Sequence, residues 1–192
     1  DSSLNPKKIT IELWVKFEST PGNNTNYFLL AKDNVSGQRS YQLILRNNAG
    51  TFQIQTAIFG NSVNDNFSWN WTPTLATWYH LALTFDSSQA SATTFVAYID
   101  GVSQGNGTSI NSGNVTTIDD TTALFTIGSP NAAESFFDGV IDDVRVWNVV
   151  RTGAQISDNR SIELAGSESG LVAYWPFEAL TNASLLTILA TQ

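Results

Sequence analysis

The chain has 192 residues, 42% of them apolar and 11% aromatic, which suits one large domain with a sizeable core. Seventeen acidic residues against nine scattered basic ones give a formal charge of −8, which argues against nucleic acid or another polyanion as partner. Cysteine is absent, so disulfides, thiolate metal sites and a cysteine nucleophile are excluded, and a lone histidine, His80, cannot form a histidine metal cluster.

The chain opens on a polar stretch, Asp1 to Lys8, with no apolar signal core, so any targeting segment is expected upstream. The first strand expected is Ile9–Phe17: Ile9, Ile11, Leu13, Val15 and Phe17 point one way, and Thr10, Glu12, Trp14 and Lys16 the other. Tyr27–Lys32 follows a Pro-Gly-Asn-Asn turn. Tyr41–Arg46 and Thr51–Ile58 flank the hairpin loop Asn47-Asn48-Ala49-Gly50.

Next comes an aromatic row in a polar setting. On a strand, Phe67, Trp69 and Trp71 share one face, with Ser68 and Asn70 on the other. Asn64, Asp65, Asn66 and Asn70 border the row. Exposed indoles stack on the C–H faces of sugar rings, and Asn and Asp bind hydroxyls, so Trp69, Trp71, Asn70 and Asp65 are the candidate sugar ligands. The competing reading packs the rings into the core, where large aromatics commonly sit. In so polar a segment at least one ring is expected at the surface.

Trp78–Phe85 is a further strand, closed by Asp86-Ser87-Ser88. Phe95–Ile99 then runs into Asp100-Gly101, the pair that supplies the positive φ angles of a tight hairpin. Leu124–Ile127 and Val140–Trp147 follow; within the latter, Arg145 and Trp147 share a face with Asp143, an expected Arg–Trp stack. The spacing predicts one helix over 152–164, capped by Thr152, with Ile156 and Leu164 on one side. Gly170–Phe177 returns to strand. Many short strands, frequent turns and little helix mean an antiparallel sandwich. One domain over 1–178 with a tail or terminal strand over 179–192 accommodates this pattern. The tail's apolar stretch, 185–189, falls short of the roughly 20 residues that cross a bilayer.

The strings Ile9–Lys16, Trp78–Asp86, Tyr98–Val102, Phe125–Gly128 and Phe137–Asn148, the last followed by Arg151-Thr152, resemble the concanavalin A-like lectin/glucanase superfamily, in its laminin-G-like and pentraxin-like branch. The resemblance implies an all-β, antiparallel jelly-roll sandwich of two sheets. It says less about ligand, because this fold hosts lectins, adhesion modules and hydrolases alike. The related glucanases place two Glu and an Asp at alternating positions on one strand face, and no such pattern occurs here. Asp119-Asp120 and Asp142-Asp143 are adjacent pairs, which on a regular strand point to opposite faces. In those glucanases an Asp matching Asp142 ligates a structural calcium with backbone carbonyls, and Asp142 could equally bond only a neighbouring loop. Pentraxins carry an Asp-Asn pair comparable to Asp33-Asn34 in a calcium site, but the later loop, Ser129–Ser135, offers only Asn131 and Glu134 of the cluster that site needs. His80 stands where the family commonly has a non-catalytic histidine.

Together these features predict a non-catalytic extracellular recognition module. It binds a glycan, is stabilised by calcium and forms part of a larger surface or secreted protein with no membrane span of its own. A protein-binding adhesion or spacer module is the first alternative, with an extracellular or surface protein as partner; a diverged glycoside hydrolase is the second.

Overall fold

The computed structural model describes residues 7–33, 37–89, 95–130 and 136–177. The strands are β1 (Lys8–Phe17), β2 (Asn26–Asp33), β3 (Arg39–Asn48), β4 (Thr51–Gly60), β5 (Val63–Asn70), β6 (Trp78–Asp86), β7 (Phe95–Ile99), β8 (Val102–Asn106), β9 (Thr108–Ser112), β10 (Phe125–Ile127), β11 (Gly139–Trp147) and β12 (Leu171–Trp175). One helix, α1 (Gly153–Asn159), lies between the last two. They form two antiparallel six-stranded sheets, β12-β11-β1-β6-β7-β8 and β10-β2-β3-β4-β5-β9, stacked as a jelly-roll β-sandwich.

Alternation in the sequence decides which side of each strand is buried. Ile9, Ile11, Leu13, Val15 and Phe17 of β1 have no solvent exposure and meet Tyr41, Leu43 and Leu45 of β3 and Ile54 and Ile58 of β4 across the gap. Each such side chain contributes about 1.5–3 kcal/mol relative to an exposed one. One edge of the sandwich is closed by Phe125 of β10 and Trp175 of β12, whose rings stack at 4.7 Å and 3°. At the other edge the chain steps from β8 in the first sheet to β9 in the second through Gly107, where a Cβ would lie 2.8 Å from the Trp69 ring.

Asp100-Gly101 forms the expected hairpin turn between β7 and β8, with φ of +51° and +80°. The β8 and β9 strands were not foreseeable from alternation, since every one of their residues is exposed and nothing selects an apolar face. The helix is shorter than the predicted 152–164. Thr152 caps it in a reciprocal capping box with Gln155, and Ile156 is its buried residue. It ends at Asn159 because the carbonyls of Asn159 and Ile162 turn to Arg145 of β11.

Candidate functional site

The aromatic row at 67–71 belongs largely to the core, which corrects its reading as a sugar platform. Phe67 is stacked on Phe95 at 4.6 Å, and Trp69 is only 6% exposed, its Nε1 donating to the Gly105 carbonyl at 3.0 Å. Trp71 is half-buried, edge-on to Phe17 and Tyr79. Asp65 has no exposure; its two oxygens accept the Asn114 and Val115 amides at 2.9 Å each, fixing the segment after β9. Of the four expected ligands only Asn70 is fully at the surface, where it accepts from Gln53 Nε2 at 2.8 Å. The polar character of the segment comes from its outward residues, while the ring side faces inward.

The two candidate calcium positions lie in different sheets. Asp33 ends β2 in the second sheet, buried, with Arg39 3.4 Å away. Asn34 lies outside the described residues, as do Asn131 and Glu134. Asp142 lies in the other sheet, and its Oδ1 accepts the amide of Asp143 at 2.8 Å. Among the described residues no group of three or more His, Asp or Glu is arranged to hold a metal. A cation at Asp142 would rest on one carboxylate already engaged by the backbone, a poor fit to the six to eight oxygens calcium takes.

Asp142 matters for another reason. The β1–β11 register slips by one between Glu12↔Arg145 and Trp14↔Asp142, so β11 carries a bulge, and Asp143 sits in it with φ +51°. The bulge cancels the alternation that would send Asp142 and Asp143 to opposite faces. Asp142 pairs with outward-facing Trp14, and Asp143 reaches Arg145, which pairs with outward-facing Glu12. Both carboxylates therefore serve the outer face of the first sheet.

That face is roofed in part by α1 and the turn after it, held by a buried polar network. Glu12, with no exposure, is bonded by Arg151 and lies 3.4 Å from His80 Nε2. His80 presents its ring edge-on to Trp14 at 5.4 Å. Burial by itself raises the Glu12 carboxyl, but the neighbouring His80 ring and the Arg151 charge outweigh it and hold the group below its ordinary value. Arg151 also stacks on Trp147 at 4.2 Å, so the arginine on that indole is Arg151 and not Arg145. Arg145 is fully buried; it grips Asp143 and donates to the carbonyls of Asn159 and Ile162 at 2.9 and 2.7 Å. Trp14 Nε1 donates to the Arg160 carbonyl at 2.8 Å.

These bonds shape a groove of about 440 Å³ lined by Trp14, Trp78, Asp142, Asp143, Ser161, Glu163, Tyr174 and Pro176. Trp78 is 41% exposed at the start of β6, and Trp14 is locked by its indole hydrogen bond. Tyr174 closes the far side; burial, opposed by the Leu164 backbone and reinforced by the nearby Asp143 carboxylate, keeps its phenol above its usual range. The 161–163 turn, pinned by Arg145, adds Ser161 and Glu163. Rigid aromatic faces beside hydroxyl-binding carboxylates are what a sugar ring needs. Trp78 was legible as an outward residue of a strand whose Tyr79, Leu81, Leu83 and Phe85 face the core. The bulge that gathers the carboxylates and the turn that adds Glu163 left no local signal.

A family model of the concanavalin A-like lectin/glucanases superfamily, of the laminin-G kind, matches residues 1–157, and the chain belongs to that family. Several solved structures share its fold. A candidate carbohydrate-binding protein of Bacteroides ovatus matches at TM-score 0.66 and 19% identity, over 90% of this chain and 46% of that one. The chain thus spans less than half the length of that relative. The heptameric SAP-like pentraxin of Limulus polyphemus matches at 0.59 and 15%, over 91% and 82%. The CBM40 module of the Ruminococcus gnavus IT-sialidase, bound to α2,3-sialyllactose, matches at 0.56 and 14%, over 79% and 81%. A search of the curated proteins found no match in sequence.

Proposed function

We propose that this protein is a non-catalytic carbohydrate-recognition module whose ligand lies in the groove on the outer face of the first sheet. One observation carries this reading: Trp78, 41% exposed, stands in one groove with fixed Trp14, Tyr174 and the carboxylates of Asp142 and Glu163. Exposed aromatic surface grouped in a groove and rimmed by polar groups marks a ligand site. The carbohydrate-binding descriptions of the Bacteroides ovatus and Ruminococcus gnavus relatives support it. An extracellular setting and a longer host chain are proposed with it; among the described residues no helix is long and apolar enough to cross a membrane.

The groove's carboxylates raise hydrolysis as an alternative, and their bonding argues against it. Glycoside cleavage needs an acid able to give up a proton and a second carboxylate across the bond. Both Asp143 oxygens are held by Arg145 and Asp142 accepts the Asp143 amide, which leaves Glu163, among the described residues, as the groove carboxylate with no bonded partner rather than a free facing pair. Calcium is left out of this proposal: among the described residues no group of three or more His, Asp or Glu is placed to hold a metal, and Asn34 lies outside them.

Printing a glycan array with the wild-type chain and with Trp78→Ala tests the reading. It expects binding to a defined set of glycans, lost in the variant at unchanged melting temperature. An array blank for the wild type would favour the adhesion or spacer role.

A further inference from the structure

Resting on the reading of the groove as a glycan site, we infer that it selects sugars bearing a free amine, glucosamine-type residues charged as ammonium, over N-acetylated and acidic sugars. Three of its lining side chains are carboxylates, and none is Lys, Arg or His. Arg145 answers the charge of Asp143 from below. Among the described residues Asp142 and Glu163 have no salt-bridge partner, so the groove carries two unanswered negative charges.

Hydrogen-bond supply points the same way. Carboxylates only accept. The indole donor of Trp14 is spent on the Arg160 carbonyl, and the Trp78 indole and the Ser161 hydroxyl are side-chain donors left beside three carboxylates. Acceptors dominate the lining, so a donor-rich ligand is favoured, and an ammonium brings three donors. It also gains from the face of Trp14, since a cation is attracted to aromatic rings, whereas Lys16 Nζ already lies 5.9 Å over Trp78 and Arg145 5.9 Å over Tyr174. A sialic or uronic acid brings the opposite: a carboxylate facing carboxylates, with no arginine in the lining to receive it. The chain's formal charge of −8 adds to that repulsion at longer range.

The test is isothermal titration of the full 192-residue chain with a glucosamine oligomer, the N-acetylated oligomer of equal length and α2,3-sialyllactose. Each groove carboxylate is partly exposed, so each adds a factor of a few, and the amine form should bind roughly tenfold more tightly than the acetylated form. Sialyllactose should not bind measurably. The preference should fade in high salt and above the pH at which the amine loses its proton. Asp142→Asn, which keeps the oxygen that accepts the Asp143 amide, combined with Glu163→Gln, should erase the preference and bring the two oligomers to comparable affinity.

Equal affinity for the two oligomers, or tighter binding of either the acetylated or the sialylated ligand, overturns this selectivity and leaves the groove as a glycan site. Amine binding that survives both Trp78→Ala and the carboxylate pair overturns it as well, since it would reflect general attraction to an acidic chain. No binding to these ligands overturns the selectivity, and a blank glycan array in addition removes the glycan reading itself.

Discussion

Arg145 holds Asp143 by both carboxylate oxygens, Nε to Oδ1 at 2.9 Å and Nη2 to Oδ2 at 2.5 Å, from a position with no solvent exposure. The same guanidinium reaches the carbonyls of Asn159 and Ile162, so one side chain joins the β11 bulge to the turn that forms the groove's other wall. Removing it leaves a carboxylate and two carbonyls without their donors. Arg145→Met should cost about 3–5 kcal/mol, the usual penalty for breaking a buried pair, read as a shift in the denaturation midpoint. Arg145→Lys should recover little, because a single ammonium cannot replace the fork. A loss below about 0.5 kcal/mol, the range of an ordinary surface change, would remove Arg145 as the organiser of this face.

Exposure separates two tryptophans that look alike in the sequence. Trp69→Ala opens a cavity in the core and should cost about 3–5 kcal/mol. Trp78→Ala should stay within about 1 kcal/mol of wild type while removing glycan binding. Chemical denaturation of both variants checks the pair, and comparable destabilisation by each would contradict the burial described above.

Glu12 makes stability depend on acid. Its folded carboxyl lies below the ordinary 4.5; burial opposes this, and the neighbouring His80 ring and Arg151 overcome it. A depressed acid contributes stability that is fully present above 4.5 and is lost as pH falls through the lower folded value. Melting temperatures measured downward from pH 5 should therefore decline, and Glu12→Gln should flatten part of that decline while lowering stability at neutral pH. A wild-type and variant pair that falls in parallel would show that other carboxylates set the acid limb.

The fold was largely legible and the site was not, for reasons that lie in particular residues. Alternation along Ile9–Phe17 and Trp78–Phe85 set the buried face of the central strands, and Asp100-Gly101 marked its turn. The edge strands β8 and β9 have only exposed residues and so no alternation to read. The row Phe67, Trp69, Trp71 had the right chemistry for sugar on the wrong side of its strand. Regular alternation sends Asp142 and Asp143 to opposite faces; the bulge at Asp143 brings both to one face. Trp78, Glu163 and Tyr174 are far apart in sequence and meet only through the pairing of β6, β11 and β12 around β1.

Calcium is open to a direct check. With Asp142 bonded to the Asp143 amide and, among the described residues, no group of three or more His, Asp or Glu placed to hold a metal, melts in EDTA and in calcium should coincide. Asp142→Ala should lower both equally. A higher melt in calcium that disappears in Asp142→Ala would return the metal to this site.

The location of the ligand can be read from the six indole N–H signals of the chain's six tryptophans during titration with a bound glycan. The signals of Trp78 and Trp14 should shift with saturation while those of Trp69 and Trp147 hold still. Shifts confined to Trp69 and Trp71, or a titration that moves no indole while binding is otherwise measurable, would place recognition elsewhere on the molecule.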